Sequence, residues 1–263
     1  MIESIIIGQY LKIDSFIHRL DPRVKIILNI VYIIGIFFID SVFKYLFYLI
    51  MIFLITLGAR IKFYYILNSI KVVSLFIIFA AFFNVFFIRE GNLIFKLGFL
   101  SIYDKAIETS IFISLRVIFL ILGSTILTLT TSPVELTDGF ESMMYPLRKL
   151  NVPVGEISLM VSISLRFIPI LLNETDKIIK AQKSRGVDFE KGGIISRVKN
   201  IVPILIPLFI NSFRRADELA IAMESRCYNG SEDRFKFKVL KFNIRDYLSL
   251  ILFILFVILI YFL

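Results

Sequence analysis

Long apolar runs alternate with short charged breaks along this chain. At about 20 residues per crossing of a bilayer, the runs 24–40, 42–58, 70–88, 106–131 and 247–263 predict spanning helices. Between the fourth and fifth runs, residues 132–246 follow another pattern. "TSPVELTDGFE" places Ser132 before Pro133, an N-cap followed by proline at the first helical position, with Glu135 in the first turn. The next two stretches, starting near 154 and 200, are each apolar in their first half and charged in their second. In the second of them Phe209, Phe213, Ala216, Ala220 and Met223 recur at three- and four-residue steps, and Arg214, Arg215, Asp217 and Glu218 take the opposite side. The pattern predicts long amphipathic helices that begin against the membrane and project from it as arms. Pro169, Pro203 and Pro207 are expected to mark kinks where the arms leave the surface.

Composition turns this pattern into a class. Hydrophobic residues make up 58% of the 263, Phe occurs 28 times and mean hydropathy is +0.85. A soluble domain is nearer ~45–50% apolar, so the reading is an all-α polytopic membrane protein with about five spans. The net charge of +9 follows the positive-inside rule more simply than it follows nucleic-acid binding. Lys12, Arg19, Arg23 and Lys25 precede the first span, Arg60, Lys62 and Lys71 separate the second and third, and 18 Lys and Arg fall in 132–246. With the N-terminus and the coupling region cytoplasmic, five spans leave the C-terminus outside a cell membrane. The charges around the short apolar patch near the N-terminus predict no cleavable signal, and one cysteine excludes an internal disulfide.

The two arms end alike. "AQKSRG" closes the first at 181–186 and "AMESRC" the second at 222–227. Both read Ala-x-x-Ser-Arg, which sets a small residue one helical turn before the arginine on the same face. A tip that enters a groove needs small neighbours, and a guanidinium there can bond carboxylates or carbonyls of a partner in pairs. Two other readings remain open: Arg185 and Arg226 complement the negative ends of their helices, or they hold anionic lipid. Gly186 allows the turn after the first helix, and Asn229–Gly230 offers a turn after the second.

These stretches resemble the paired Ala-Arg-Gly signatures of the transmembrane T component of energy-coupling factor (ECF) transporters. "GQYLKIDSFIHRLDPRVK" (8–25), "TTSPVELTDGFE" (130–141), "SLRFIPILLNETDKIIKAQKSRG" (164–186) and "SFRRADELAIAMESRCY" (212–228) resemble the family in its order. The resemblance implies a scaffold that couples two cytoplasmic ABC-type ATPases to a substrate-binding membrane S component, for vitamin or micronutrient uptake. It implies that Arg185 and Arg226 each enter a groove of one ATPase. Ala181, Ser184 and Gly186, and Ala222, Ser225 and Cys227, then surround the two contacts. The chain itself binds no cofactor, and ATP and Mg belong to the partner ATPases. The opening resembles the shared, vitamin-type group. Cys227 departs from the family's Gly; a Cβ makes positive φ costly, which predicts a different ending for the second helix.

Other features carry less. Arg116 and Arg166 interrupt apolar sequence, each within "ISLR". Intramembrane charge is expensive, and structural pairing inside the bundle, with acidic residues (Glu108 and Glu156 are in range) or with carbonyls, is the expectation for both over a transport role. His18 lacks companion ligands for a metal, and "LDPR" predicts Asp21 as a cap with Pro22 at the first helical position. Asn173 and Asn229 match the glycosylation pattern but fall in the predicted cytoplasmic region. No phosphate-binding G-x-x-x-x-G-K-[ST] loop and no nucleophile–base set occurs, so no enzyme is expected. The rival classes are a stand-alone secondary transporter or channel built around Arg116, and a membrane anchor for a soluble complex.

Overall fold

A computed structural model describes residues 10–88, 90–97, 100–187, 189, 193–228, 230 and 240–262. Among them are eight α-helices: α1 (Pro22–Phe37), α2 (Val42–Ala59), α3 (Phe63–Phe87), α4 (Asp104–Thr130), α5 (Pro133–Met144), α6 (Val154–Ser184), α7 (Ile194–Glu224) and α8 (Ile244–Phe262). A 3₁₀ helix, Tyr145–Leu150, follows α5. The described strands are β1 (Leu93–Leu97) and β2 (Leu100–Tyr103), an antiparallel hairpin between α3 and α4. The all-α polytopic class is therefore the architecture of the chain. The described residues form two compact units, one of residues 10–139 and 240–262, the other of those from 140 to 230.

The first unit is a helix bundle. Residues 11–21 lie against the end of α4, where the Leu11 N–H donates to the Leu129 carbonyl at 3.0 Å. Asp21 then caps α1 by accepting from the Arg23 N–H at 2.9 Å, with Pro22 at the first helical position, as "LDPR" predicts. Between α1, α2 and α4 the core is aromatic: Tyr32, Tyr48, Tyr45 and Phe119 are buried and ring-packed. The Tyr32 hydroxyl donates to the Phe119 carbonyl at 2.8 Å, giving a buried phenol its required partner. Gly123 lies under the Tyr32 ring, which occupies the place a Cβ would need. Ser132 and Glu135 complete a reciprocal cap at the start of α5. The Glu135 N–H donates to Ser132 Oγ at 3.3 Å, and the Ser132 N–H to Glu135 Oε2 at 3.2 Å.

Five described helices are long and apolar enough to cross a membrane: α2, α3, α4, α6 and α8. The set differs from the sequence expectation in two places. α1 has 16 residues, about 24 Å at 1.5 Å per residue, because its chain turns at Phe38 and Ser41 already caps α2. α6 qualifies although its stretch was read as an arm. α3 also starts at Phe63, earlier than the run at 70. Of its residues only Ile66 is buried, and Val72, Leu75, Phe76, Ile78 and Phe79 are on its surface.

In the second unit, helix assignment continues through Pro169 in α6 and through Pro203 and Pro207 in α7. The prolines act otherwise than as breaks. Pro207 has no N–H for the carbonyl four residues earlier, that of Pro203. Gln182 of α6 donates its Nε2 to that carbonyl at 3.4 Å. Eight residues back along α6, Glu174 accepts from Asn211 Nδ2 at 2.7 Å and lies at ion-pair distance, 3.3 Å, from Arg215 Nε. As the α6 index falls by eight, the α7 index rises by eight, so the two helices run antiparallel. The Ser158 hydroxyl donates to Glu141 and ties the start of α6 to the end of α5.

Candidate functional site

The two tips have the same backbone geometry. At the end of α6 the Gly186 N–H donates to the Lys183 carbonyl at 3.0 Å and the Val187 N–H to that of Gln182 at 3.1 Å. At the end of α7 the Cys227 N–H donates to Glu224 at 2.9 Å and the Tyr228 N–H to Met223 at 3.1 Å. Both are Schellman endings, in which the residue at the turn takes a left-handed conformation. Gly186 has φ +87° and Cys227 has φ +57°. The expectation that Cys227 ends its helix differently is thus corrected: it adopts the glycine's conformation, because the two turn bonds satisfy carbonyls that a continued helix would have used. Of the alternative turn, Gly230 has positive φ and Asn229 lies outside the described residues.

Each arginine occupies the position just before the left-handed residue. Arg185 and Arg226 are exposed, as are Ala181, Ser184, Ala222 and Ser225. Among the described residues neither guanidinium has an ion-pair partner. The serine hydroxyls are satisfied locally: Ser184 Oγ donates to the Lys180 carbonyl at 3.1 Å and Ser225 Oγ to that of Ala222 at 3.0 Å. They therefore shape the tips, and each guanidinium is left without an ion-pair partner among the described residues. The antiparallel register does not bring the tips together. Position 185 falls level with the start of α7, and Arg226 stands at its far end, about 40 Å away for straight helices.

Of the two kinds of partner expected for the arginines of the apolar stretches, a carboxylate is paired with neither among the described residues. Arg116 is half-buried in α4; its guanidinium faces the Phe37 ring at 5.5 Å, and the buried Tyr45 hydroxyl is its electrostatic neighbour. Aromatic faces attract a cation without a second buried charge, which is why no glutamate is needed. Arg166 is exposed on α6, and no described residue forms an ion pair with it.

A polar cluster escaped the sequence reading. Lys25, 5% exposed, donates its Nζ to the His18 carbonyl at 3.0 Å and the Thr130 carbonyl at 2.9 Å. An ammonium there satisfies the last carbonyl of α4 and complements the negative end of its dipole. Asp246, 1% exposed, accepts from the Asp21 N–H at 2.9 Å and from the Asn243 N–H at 2.8 Å. Arg23 pairs with Asp21 at 2.8 Å and stacks on Phe242. The cluster fixes the start of α1, the end of α4 and the start of α8 at one end of the bundle. At the other end, Lys44 Nζ donates to the Tyr261 carbonyl at 3.2 Å, joining the start of α2 to the end of α8. The signal in the sequence was weak: one lysine just inside the first apolar run and one aspartate just before the last.

His18 lies beside this cluster. Ser15 Oγ is 2.7 Å from its Nδ1, and its Nε2 is buried near the Leu11 and Leu129 carbonyls. Burial lowers its pKa, and Lys25 adds to the effect. No group of three or more His, Cys, Asp or Glu able to hold a metal occurs among the described residues. An apolar cavity of about 340 Å³ lies between α1, α2, α4 and α8, with Tyr32, Gly58, Gly123 and Phe253 in its wall. None of the sequence-predicted site residues lines it.

Five described apolar helices long enough to cross a membrane define the class as a multi-pass helical membrane protein. A family profile described as "CbiQ: Cobalt transport protein" matches residues 14–237, and the chain belongs to that family. It is 47% identical over 250 residues to a Clostridium kluyveri protein named "Energy-coupling factor transporter transmembrane protein EcfT", covering 95% of this chain and 93% of the relative. Proteins of the same name from Streptococcus thermophilus and Bacillus subtilis are 48% and 45% identical. They cover 95% and 94% of this chain, and 94% and 93% of themselves.

Proposed function

We propose that this chain is the transmembrane scaffold of an ABC-type ECF importer. It transmits ATP hydrolysis by two cytoplasmic ATPases to a substrate-binding S component in the membrane, for uptake of a vitamin or other micronutrient. The names of the relatives support the transporter class. The observation that carries the coupling role is the pair of matched tips: two exposed arginines, each set by a Schellman turn, at opposite ends of an antiparallel helix pair. One partner subunit per tip is the economical use of such spacing. The chain supplies no catalytic group; ATP and Mg act on the partner subunits.

Parity supports the orientation. The polar cluster holds the end of α4 and the start of α8 at one end of the bundle. The segment between them therefore crosses the membrane an even number of times. α7 is not among the helices apolar enough to cross, so α6 does not cross alone, despite its length. With 18 Lys and Arg in 132–246, this segment and the N-terminus lie on the cytoplasmic side and the C-terminus outside. The exposed apolar face of α3 suits lipid and a membrane partner.

Replacing Arg185→Ala and Arg226→Ala together is expected to abolish co-purification of the ATPases or coupled uptake while membrane insertion is retained. Single replacements do less, because each tip engages its own subunit. A double variant that assembles and transports at the wild-type rate overturns the coupling role.

A further inference from the structure

The apolar cavity of about 340 Å³ between α1, α2, α4 and α8 takes no part in the coupling role. Its size is that of a small-molecule site, ~300–1,000 Å³. Leu54 of α2 and Leu252 of α8 line it and are exposed, as is Phe16 of the segment before α1. The cavity therefore opens sideways, through the surface that spanning helices present to lipid.

Five polar side chains lie in the wall: Lys25, Asn29, Tyr32, Thr130 and Ser249. Three are satisfied within the bundle. The Tyr32 hydroxyl donates to the Phe119 carbonyl at 2.8 Å, Thr130 Oγ1 to that of Ile126 at 2.7 Å and Ser249 Oγ to that of Arg245 at 2.8 Å. The other two stand one turn apart on one face of α1. Lys25 Nζ gives two of its three N–H groups to the His18 and Thr130 carbonyls. Asn29 Oδ1 is buried and accepts no hydrogen bond among the described residues. The cavity thus ends on a spare donor and an unmet acceptor, and buried polar atoms are rarely left unmet.

These two groups narrow the occupant. A water satisfies them but takes only ~30 Å³, which leaves most of the cavity empty. Glu135, Asp21 and Asp246 already act on Lys25 as counter-charges, so no further anion is called for. Asn29 requires a donor, which neither a carboxylate nor a phosphodiester has. We propose that the cavity binds a monoacyl lipid with free hydroxyls, of the monoacylglycerol kind. One hydroxyl accepts from Lys25 Nζ, another donates to Asn29 Oδ1, and the acyl chain fills the space between Leu54 and Leu252. α4 ends beside Lys25, so the polar head sits near the membrane surface and the chain points inward. The lipid holds α2 and α8 apart at this end, while Lys44 joins them at the other.

The test photolabels the full-length chain in phosphatidylcholine nanodiscs with a monoacylglycerol that carries a diazirine in its chain, and maps the labelled peptides by mass spectrometry. Label is expected in the peptides of Leu54 and Leu252. Monoolein is expected to compete about tenfold better than methyl oleate, which has the same chain and no hydroxyl. Asn29→Leu is expected to bring the two competitors level. Gly58→Leu fills the cavity, since a Cβ there meets only Ile17 Cδ1 at 3.5 Å, and is expected to abolish the label. If that variant does not fold, the wild-type map and the two competitors decide the matter. Label spread equally over α3, equal competition in the wild type, or label kept in folded Gly58→Leu overturns the site. Stronger competition by phosphatidylglycerol gives the cavity to an anionic diacyl lipid and overturns the monoacyl assignment. Loss of the label in the complete transporter complex gives it to a partner subunit, with the same consequence. Each of these outcomes leaves the coupling role of Arg185 and Arg226 untouched.

Discussion

Cys227 holds the one position where a left-handed backbone meets a side chain at a tip. A Cβ in that conformation costs roughly 1 kcal/mol relative to glycine, and the turn bonds from Cys227 and Tyr228 hold it there. Cys227→Gly is therefore expected to slow amide exchange at 223–228 about fivefold, measured by hydrogen–deuterium exchange in detergent, without moving Arg226. His18 offers a second residue-scale test. Burial disfavours its imidazolium, so its folded pKa lies below the ordinary value of 6.5, and below that point the unfolded chain binds the extra proton. Stability is complete above about pH 6.5 and is lost as the pH falls below it. Thermal unfolding at pH 7.5 and 5.5 is expected to differ more for the wild type than for His18→Gln.

At the scale of elements, the arms depend on polar contacts between α6 and α7. Glu174 is the centre: it accepts from Asn211 and lies beside Arg215. Truncating it leaves the half-buried Asn211 amide without its acceptor and removes the carboxylate beside Arg215, a loss of about 1–3 kcal/mol. Glu174→Ala is expected to make the arms protease-sensitive at low enzyme, while α1 to α4 stay protected; equal protection of the arms argues against this hinge. Gln182 is the smaller partner, because its acceptor exists only through the missing N–H of Pro207. The prolines looked like kink sites from sequence. Both helices continue through them, and at Pro207 the missing N–H frees a carbonyl that the neighbouring helix uses.

Across the whole molecule, the bundle ends fix the topology. With Cys227→Gly as background, Ser41→Cys is expected to react with a membrane-impermeant maleimide on intact cells, and Ser184→Cys only after permeabilisation. Reversed labelling overturns the assigned orientation. The parity argument behind it uses Lys25, Thr130 and Asp246, of which the sequence had singled out only Lys25, as one of the basic residues near the first span. They matter because buried charge is retained only where it satisfies backbone groups that nothing else reaches.

The matched "AQKSRG" and "AMESRC" tips, the long apolar runs and the caps at Asp21 and Ser132 are local facts. Periodicity, capping and turn chemistry act within a few residues, so the linear order determined the helical membrane class and the two arginines. Span ends were less legible: α1 stops at Phe37 and α6 passes for a span, because hydropathy does not know where a chain turns. Three things required the tertiary structure. Arg116 rests on an aromatic ring where a carboxylate or a carbonyl was expected. Cys227 adopts the glycine conformation. The tips stand at opposite ends of an antiparallel pair. Each depends on groups far apart in sequence, or on a balance between a local strain and the hydrogen bonds that offset it, which only the folded chain brings to a decision.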